Sequence, residues 1–227
     1  MDERIFQIIV NSFFPMLSAG LKYTIPLTLI SFFLGVGIAT IVAVIRVSNL
    51  PFLNGICRFY VWTIRGTPLL VQLFVVFFGL PRAGVVLDPM TAAVCVFSFS
   101  VGAYSSEVIR AAILSVPKGQ WEAAYSLGMT YSQTLRRIIL PQAFKVSIPP
   151  LFNNFIALVK DTSLAANITV SEMFLATQRI VARTYEPLIL YVEVALIYLI
   201  FSTILSEVQK RMELKLQLNE NLSHSDG

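Results

Sequence analysis

Four consecutive residues, Lys160-Asp161-Thr162-Ser163, put two opposite charges and two hydroxyls at the end of a short apolar run, Val146 to Val159. A helix broken there, at membrane depth, would offer backbone groups and charges to a polar solute. The competing reading is an ordinary interfacial pair between Lys160 and Asp161. A second group, Arg65, Thr67 and Gln72, sits at the start of another apolar run, Pro68 to Leu80. Polar groups inside a membrane are costly against lipid, so they mark a path or an internal bond. Thr67 and Gln72 share a helical face only loosely, and Thr67 could equally bond its own helix backbone. Pro68 lacks an N–H and frees the carbonyl of Ile64. Asn153 and Asn154 read as hydrogen-bonding glue between helices. Glu107 and Arg110 read as a structural (i, i+3) pair. Glu193 should point into the bundle or toward the outer water layer, and its alternative is a near-surface pairing with Arg179 or Arg183.

Other chemistry is missing. Cys57, placed in a loop, and Cys95, in an apolar run, have no metal-like spacing, and the one histidine, His224, lies in the polar tail. The chain lacks a G-x-x-x-x-G-K-[ST] phosphate loop, a G-x-S-x-G elbow and paired catalytic carboxylates. These absences predict a non-enzyme with no metal and no ATP site of its own. The net charge of +4 is spread between apolar runs, which argues against nucleic acid.

The elements that must position these residues are membrane helices. Of 227 residues, 56% are apolar and 13% charged, about half the charge of a soluble domain. Tyr23 to Ile45 carries no charge and is long enough to span roughly 30 Å of hydrocarbon. Ile5 to Leu17, interrupted by Asn11, Ser12 and Pro15, is predicted to be an interfacial helix. Arg46, Arg58 and Arg65 bracket a predicted loop containing Asn49, Pro51 and Gly55. The run Pro68 to Leu80 can span only if its helix starts near Phe59 with Arg65 inside it. Further spans are expected over Pro89 to Ser106, Val146 to Val159 and Pro187 to Ser206, the last followed by a charged tail. The expectation is an all-α integral membrane protein with about five transmembrane helices. Its parts are an interfacial segment (1–22), a transmembrane domain (23–208) containing a loop (111–145), and an inner tail (209–227). The N-terminus has no basic leader region, so nothing is expected to be cleaved. No internal repeat is visible. With the N-terminus outside, 11 of the 17 Lys and Arg residues fall on the inner side and 6 on the outer, which favours N-out, C-in.

The loop is the most informative stretch. Pro117 suits a first helical turn, and Gly128 suits the left-handed position after a helix end. Between them about three turns leave Trp121, Ala124, Tyr125 and Leu127 available to a partner. Ala123 and Ala124 would let another surface approach closely. Thr130 and Gln133 form a capping-box pattern opening a second helix, predicted to end at Pro141. Two helices joined at a glycine make a rigid inner knob, although an amphipathic loop lying on the membrane would also fit.

Glu122-Ala123-Ala124, Gly128 and Ile138-Ile139-Leu140-Pro141 resemble the EAA loop of bacterial ATP-binding-cassette importer permeases. Arg65-Gly66-Thr67-Pro68-Leu69 and Lys160-Asp161-Thr162-Ser163-Leu164 resemble further hallmarks of the polar amino acid branch. The resemblance runs from about Gly20 to Met212 and implies the type I importer permease fold in a bacterial cytoplasmic membrane. It implies a cytoplasmic ATPase dimer holding ATP and magnesium, a second permease subunit (a copy or a paralogue), and an extracytoplasmic amino acid-binding protein. Gln120, Trp121, Glu122, Ala123, Ala124, Gly128 and Pro141 would then belong to ATPase coupling. A zwitterionic amino acid needs an anion and a cation site, which Asp161 with Lys160 or Arg65 could supply. Gly79-Leu80-Pro81 with Leu87-Asp88-Pro89, Lys118 to Ala124 and Lys160 to Ala166 are most similar to L-cystine permeases, so L-cystine is the expected cargo. Arginine, histidine or glutamine is the alternative, and an ATP-independent secondary transporter the more distant one.

Overall fold

The computed structural model describes residues 3–48 and 50–225. Asn49 of the predicted inner loop, Met1 and Asp2 of the N-terminal segment, and Asp226 and Gly227 of the tail lie outside the described residues. All regular structure among the described residues is helical.

Helix α1 (Glu3–Ala19) runs through a π-helical turn, Gly20–Thr24, into α2 (Ile25–Val47). The interfacial segment and the first span are therefore one helix of 45 residues, about 68 Å long. Ser12, which read as an interruption, is buried. Its hydroxyl donates at 2.8 Å to the Ile8 carbonyl and at 2.6 Å to Glu193 Oε2. Met16 packs beside it against Met173, Leu190 and Val194.

Residues 51–58, predicted as part of a loop before a helix starting near Phe59, already belong to that helix, α3 (Pro51–Gly66). Pro51, Gly55 and Arg58 looked like loop punctuation, but they lie on a helix whose other side buries Cys57 and Val61 against Val42 of α2. Cys57 is thus a buried helical residue. The chain then bends by 107° at Thr67 and Pro68, both extended. It continues as α4 (Leu69–Phe74), a π turn (Val75–Gly79) and a 3₁₀ turn (Leu80–Ala83). Arg65 consequently ends one helix instead of lying inside a continuous span, because Pro68 cannot donate to the carbonyl of Ile64.

The central element is α5 (Pro89–Ser115). Its most apolar window is 67% buried, against 33% for α1–α2 and 22% for α10 (Pro187–Ser225). Asp88 caps α5, accepting from the backbone N–H groups of Met90 and Thr91. Hydrogen bonding from Thr91, with a smaller contribution from Met90, holds its carboxyl below the ordinary range. Helix α2 crosses α5 closely enough that a Cβ on Gly35 would stand 2.6 Å from Val101 Cβ, the small-residue contact by which membrane helices approach.

After α6 (Lys118–Ser126), α7 (Tyr131–Thr134) passes through a π turn (Leu135–Ile139) into α8 (Leu140–Asp161). Pro141 does not end this helix. It sits in the first turn of α8, where a missing N–H is tolerated, directly after the wider π turn. Beyond Asp161 the backbone tightens into a 3₁₀ segment, Thr162–Ile168, and α9 (Met173–Thr184) and α10 follow. Among the described residues, three helices are long and apolar enough to cross a membrane, or four if the bent pair counts as one span. The fifth expected crossing corresponds to α8, which has the 22 residues a crossing requires but carries Lys145, Lys160 and Asp161.

Candidate functional site

The bend between α3 and α4 is fastened by one side chain. Gln72 Nε2 donates to the Ile64 carbonyl at 2.8 Å, the Thr67 carbonyl at 3.1 Å and Thr67 Oγ1 at 2.9 Å. The carbonyl freed by Pro68 is therefore claimed by Gln72. Thr67 does what its alternative reading expected as well, donating to the Thr63 carbonyl at 2.9 Å. With its amide nitrogen engaged, Gln72 keeps a buried Oε1 with no partner among the described residues.

That bend forms one wall of a cavity of about 360 Å³, within the range of small-molecule sites. The second wall is Ser100, Val101 and Tyr104 of α5. The third is Asn154, Ala157, Leu158 and Asp161 of α8, with Leu164 beyond. These α8 positions follow the 3, 4, 7 spacing of a single helical face. Asn154 also donates to Ser105 Oγ on α5 at 3.2 Å, so it joins helices, as the sequence suggested, and lines the cavity too. Asp161 is the one carboxylate in the lining, and no Lys, Arg or His accompanies it.

The predicted substrate residues thus divide into groups. Thr67, Gln72 and Asp161 share the cavity. Lys160, one position from Asp161 and so about 100° around the helix, lines a different recess with Ser163, Tyr191 and Tyr198. Thr162 is fully buried and donates to the Val159 carbonyl at 2.7 Å, facing neither. Arg65 lies behind the wall, with its guanidinium 5.3 Å from the Tyr104 ring centroid. Among the described residues, Asp161 thus shares its cavity with neither Lys160 nor Arg65, the partners expected for it. Ser100 and Tyr104 were missed. Their (i, i+4) spacing as polar residues in an apolar span was the available signal.

Glu193 points into the bundle, as expected, but its partner is Ser12 instead of Arg179 or Arg183. Glu107 forms the predicted pair with Arg110 at 2.9 Å and also meets Arg46 and, at 3.9 Å, Arg65.

The loop has the predicted joint. Gly128 adopts φ +75°. Its N–H bonds the Tyr125 carbonyl at 2.9 Å while Met129 N–H reaches the Ala124 carbonyl at 3.1 Å, the paired bonds of a Schellman ending. Thr130 and Gln133 form the reciprocal capping box. Pro117 is the residue just before α6 instead of its first helical residue. Trp121 and Ala124, three apart, face the bundle. Ala124 is buried, and Trp121 stacks on Tyr131 with ring centroids 5.7 Å apart. They anchor the helix and are not open to a partner as predicted, whereas Gln120, Glu122, Ala123, Tyr125 and Leu127 are exposed. Ile139, Leu135 and Ala143 bury against Ala39, Ala43, Ile109 and Ile113, so the knob is seated on the ends of α2 and α5. Pro141 and Gly128 are exposed.

The comparisons with known proteins agree with this architecture. The chain is 54% identical to the L-cystine transport system permease protein TcyB of Bacillus subtilis (strain 168), over 93% of this chain and 91% of that one. It is 41% identical to the probable amino-acid ABC transporter permease protein YckA of the same organism, over 89% of each. In solved structures, the crystal structure of an amino acid ABC transporter with histidines superposes with a TM-score of 0.87. Identity there is 31%, over 95% of this chain and all of that one. These relatives are transport permeases and not enzymes. Residues 35–217 match the description "Binding-protein-dependent transport system inner membrane component", and the chain belongs to that family of membrane permeases.

Proposed function

We propose that this chain is the permease subunit of an ATP-binding-cassette importer in a bacterial cytoplasmic membrane, that its cargo is an amino acid, and that the amino acid is L-cystine. The observation that carries the amino acid reading is the 360 Å³ cavity between α4, α5 and α8. Its polar lining is rich in acceptors. Asp161 supplies a negative charge and Gln72 a free amide oxygen, a combination suited to a substrate ammonium group. Tyr104 and Ser100 are hydroxyls able to donate to a carboxylate. The choice of L-cystine follows the 54% identical relative.

In this reading the permease pairs with a second copy or a paralogue, and an extracytoplasmic binding protein delivers the amino acid. A cytoplasmic ATPase dimer, which holds ATP and magnesium, engages the exposed face of α6 around Gln120, Glu122 and Ala123. Trp121, Ala124, Gly128 and Pro141 set the position of that face. ATP-driven closure of the ATPases would push the knob and, through Ile139 and Ala143, the inner ends of α2 and α5. Rigid motion of packed helices would then open the cavity to one side or the other.

The test is competition for uptake in cells expressing the complete importer. Labelled L-cystine should enter, and unlabelled L-cystine should suppress it at concentrations where arginine, histidine and glutamine do not. Equal or stronger suppression by one of those three would replace L-cystine as the cargo.

A further inference from the structure

Four arginines gather around one carboxylate where α2, α3 and α5 meet, beside the cavity described above and separate from it. Arg46, Arg58, Val61, Trp62, Arg65, Gly66 and Glu107 line an open recess of about 380 Å³. Glu107 is shared by Arg46, Arg65 and Arg110, so a single negative charge serves three cations. Arg58 has no ionic or hydrogen-bond partner among the described residues. Arg46, whose side chain is 13% exposed, keeps a buried Nε without a partner. Clustered, partly buried cations with an unmet donor call for a further anion.

The recess also has an orientation. Phe59 and Trp62 flank Arg58 on the outer side of α3 and are 65% and 73% exposed. Aromatic rings beside arginine are the pattern found at headgroup depth. The Lys and Arg distribution places this end of α2 and α5 on the cytoplasmic side, where basic recesses between helices meet anionic headgroups.

We propose that this recess binds a phosphate group. Arg46, Arg58 and Arg65 are its ligands and Trp62 packs alongside. The guanidinium fork matches phosphate oxygens in pairs. The exposed rings beside Arg58 favour the phosphate of an anionic lipid in the inner leaflet, and free inorganic phosphate shares the same chemistry. The inference concerns a site apart from the transported amino acid and does not depend on which one is carried.

Native mass spectrometry of the assembled importer tests it. In one arm the complex is released from bilayers of phosphatidylglycerol and phosphatidylethanolamine. In the other it is released from phosphatidylcholine bilayers with inorganic phosphate in the buffer. The parent should retain one phosphatidylglycerol per permease. Arg58→Gln should lower that retention about fivefold, and Arg58→Lys should keep most of it. Arg58 is exposed, so both variants should assemble, which the intact mass of the complex reports directly. Retention of phosphate in the second arm, with no lipid in the first, supports the site with the free anion as its source. Retention equal in the parent and Arg58→Gln in both arms would overturn the proposal. So would an adduct formed only with the transported amino acid.

Discussion

Asp161 and Thr162 are neighbours in sequence with opposite expectations. Asp161 is the carboxylate of the cavity, whereas the Thr162 hydroxyl is spent on the Val159 carbonyl. Asp161→Asn keeps the shape and removes the charge. It should reduce uptake at least about tenfold, the loss of one charge-assisted contact, with expression and ATPase association unchanged. Thr162→Val should transport near the parental rate and lose about 1 kcal/mol of stability. Parental uptake by Asp161→Asn would remove Asp161 from the path and move attention to Thr67 and Gln72. Glu193 belongs to another class. Its bond to Ser12 ties α10 to α1, and Glu193 is not part of the cavity lining. Glu193→Ala should lower the melting temperature of the solubilised complex, by the equivalent of about 1–3 kcal/mol. Uptake per assembled complex should be unaffected, and a selective loss of uptake with unchanged melting would make Glu193 part of the path.

Local chemistry made several helix ends readable. Gly128 and the Thr130–Gln133 box were legible because each is set by residues within a few positions. Gly128→Val would place a β-branched residue at φ +75°, which is strained although no neighbouring atom lies within 4 Å. The variant complex should still bind its loaded binding protein but lose most transport-linked ATP hydrolysis, and undiminished hydrolysis in an assembled complex would separate the loop from coupling. Other boundaries depended on tertiary context. Pro141 read as a stop because the π turn at Leu135–Ile139 leaves no mark in sequence. Residues 51–58 read as a loop because Pro51, Gly55 and Arg58 masked an amphipathic helix whose buried stripe needs α2 to complete it. The division of Lys160 from Asp161 was open to reasoning, since adjacent helical residues point apart, but which one faces a cavity depends on where α5 lies. The α2–α5 crossing was likewise invisible until Gly35 was seen against Val101. Gly35→Val should cost about 1–3 kcal/mol by overpacking, read as a lower melting temperature of the purified complex. A melting temperature equal to the parent's would mean the crossing is looser than described.

Taken together, the chain reads as a bundle with α5 at its centre, a cavity on one side of α5 and a knob seated on its inner end. The inner cluster of Ala43, Ile113 and Ile139 and the cavity lining at Val101 and Tyr104 are joined through the same helix. Movement at the loop would therefore reach the proposed substrate cavity through one helix. That link between ATP hydrolysis and an amino acid cavity is the centre of the account. It is tested most directly in proteoliposomes containing the complete importer, by measuring accumulation of labelled L-cystine delivered with its binding protein. Accumulation should require ATP, should disappear when this chain is omitted, and should fall at least about tenfold with Asp161→Asn while the same vesicles retain bound ATPase. Accumulation that proceeds without ATP, or without this chain, would contradict it.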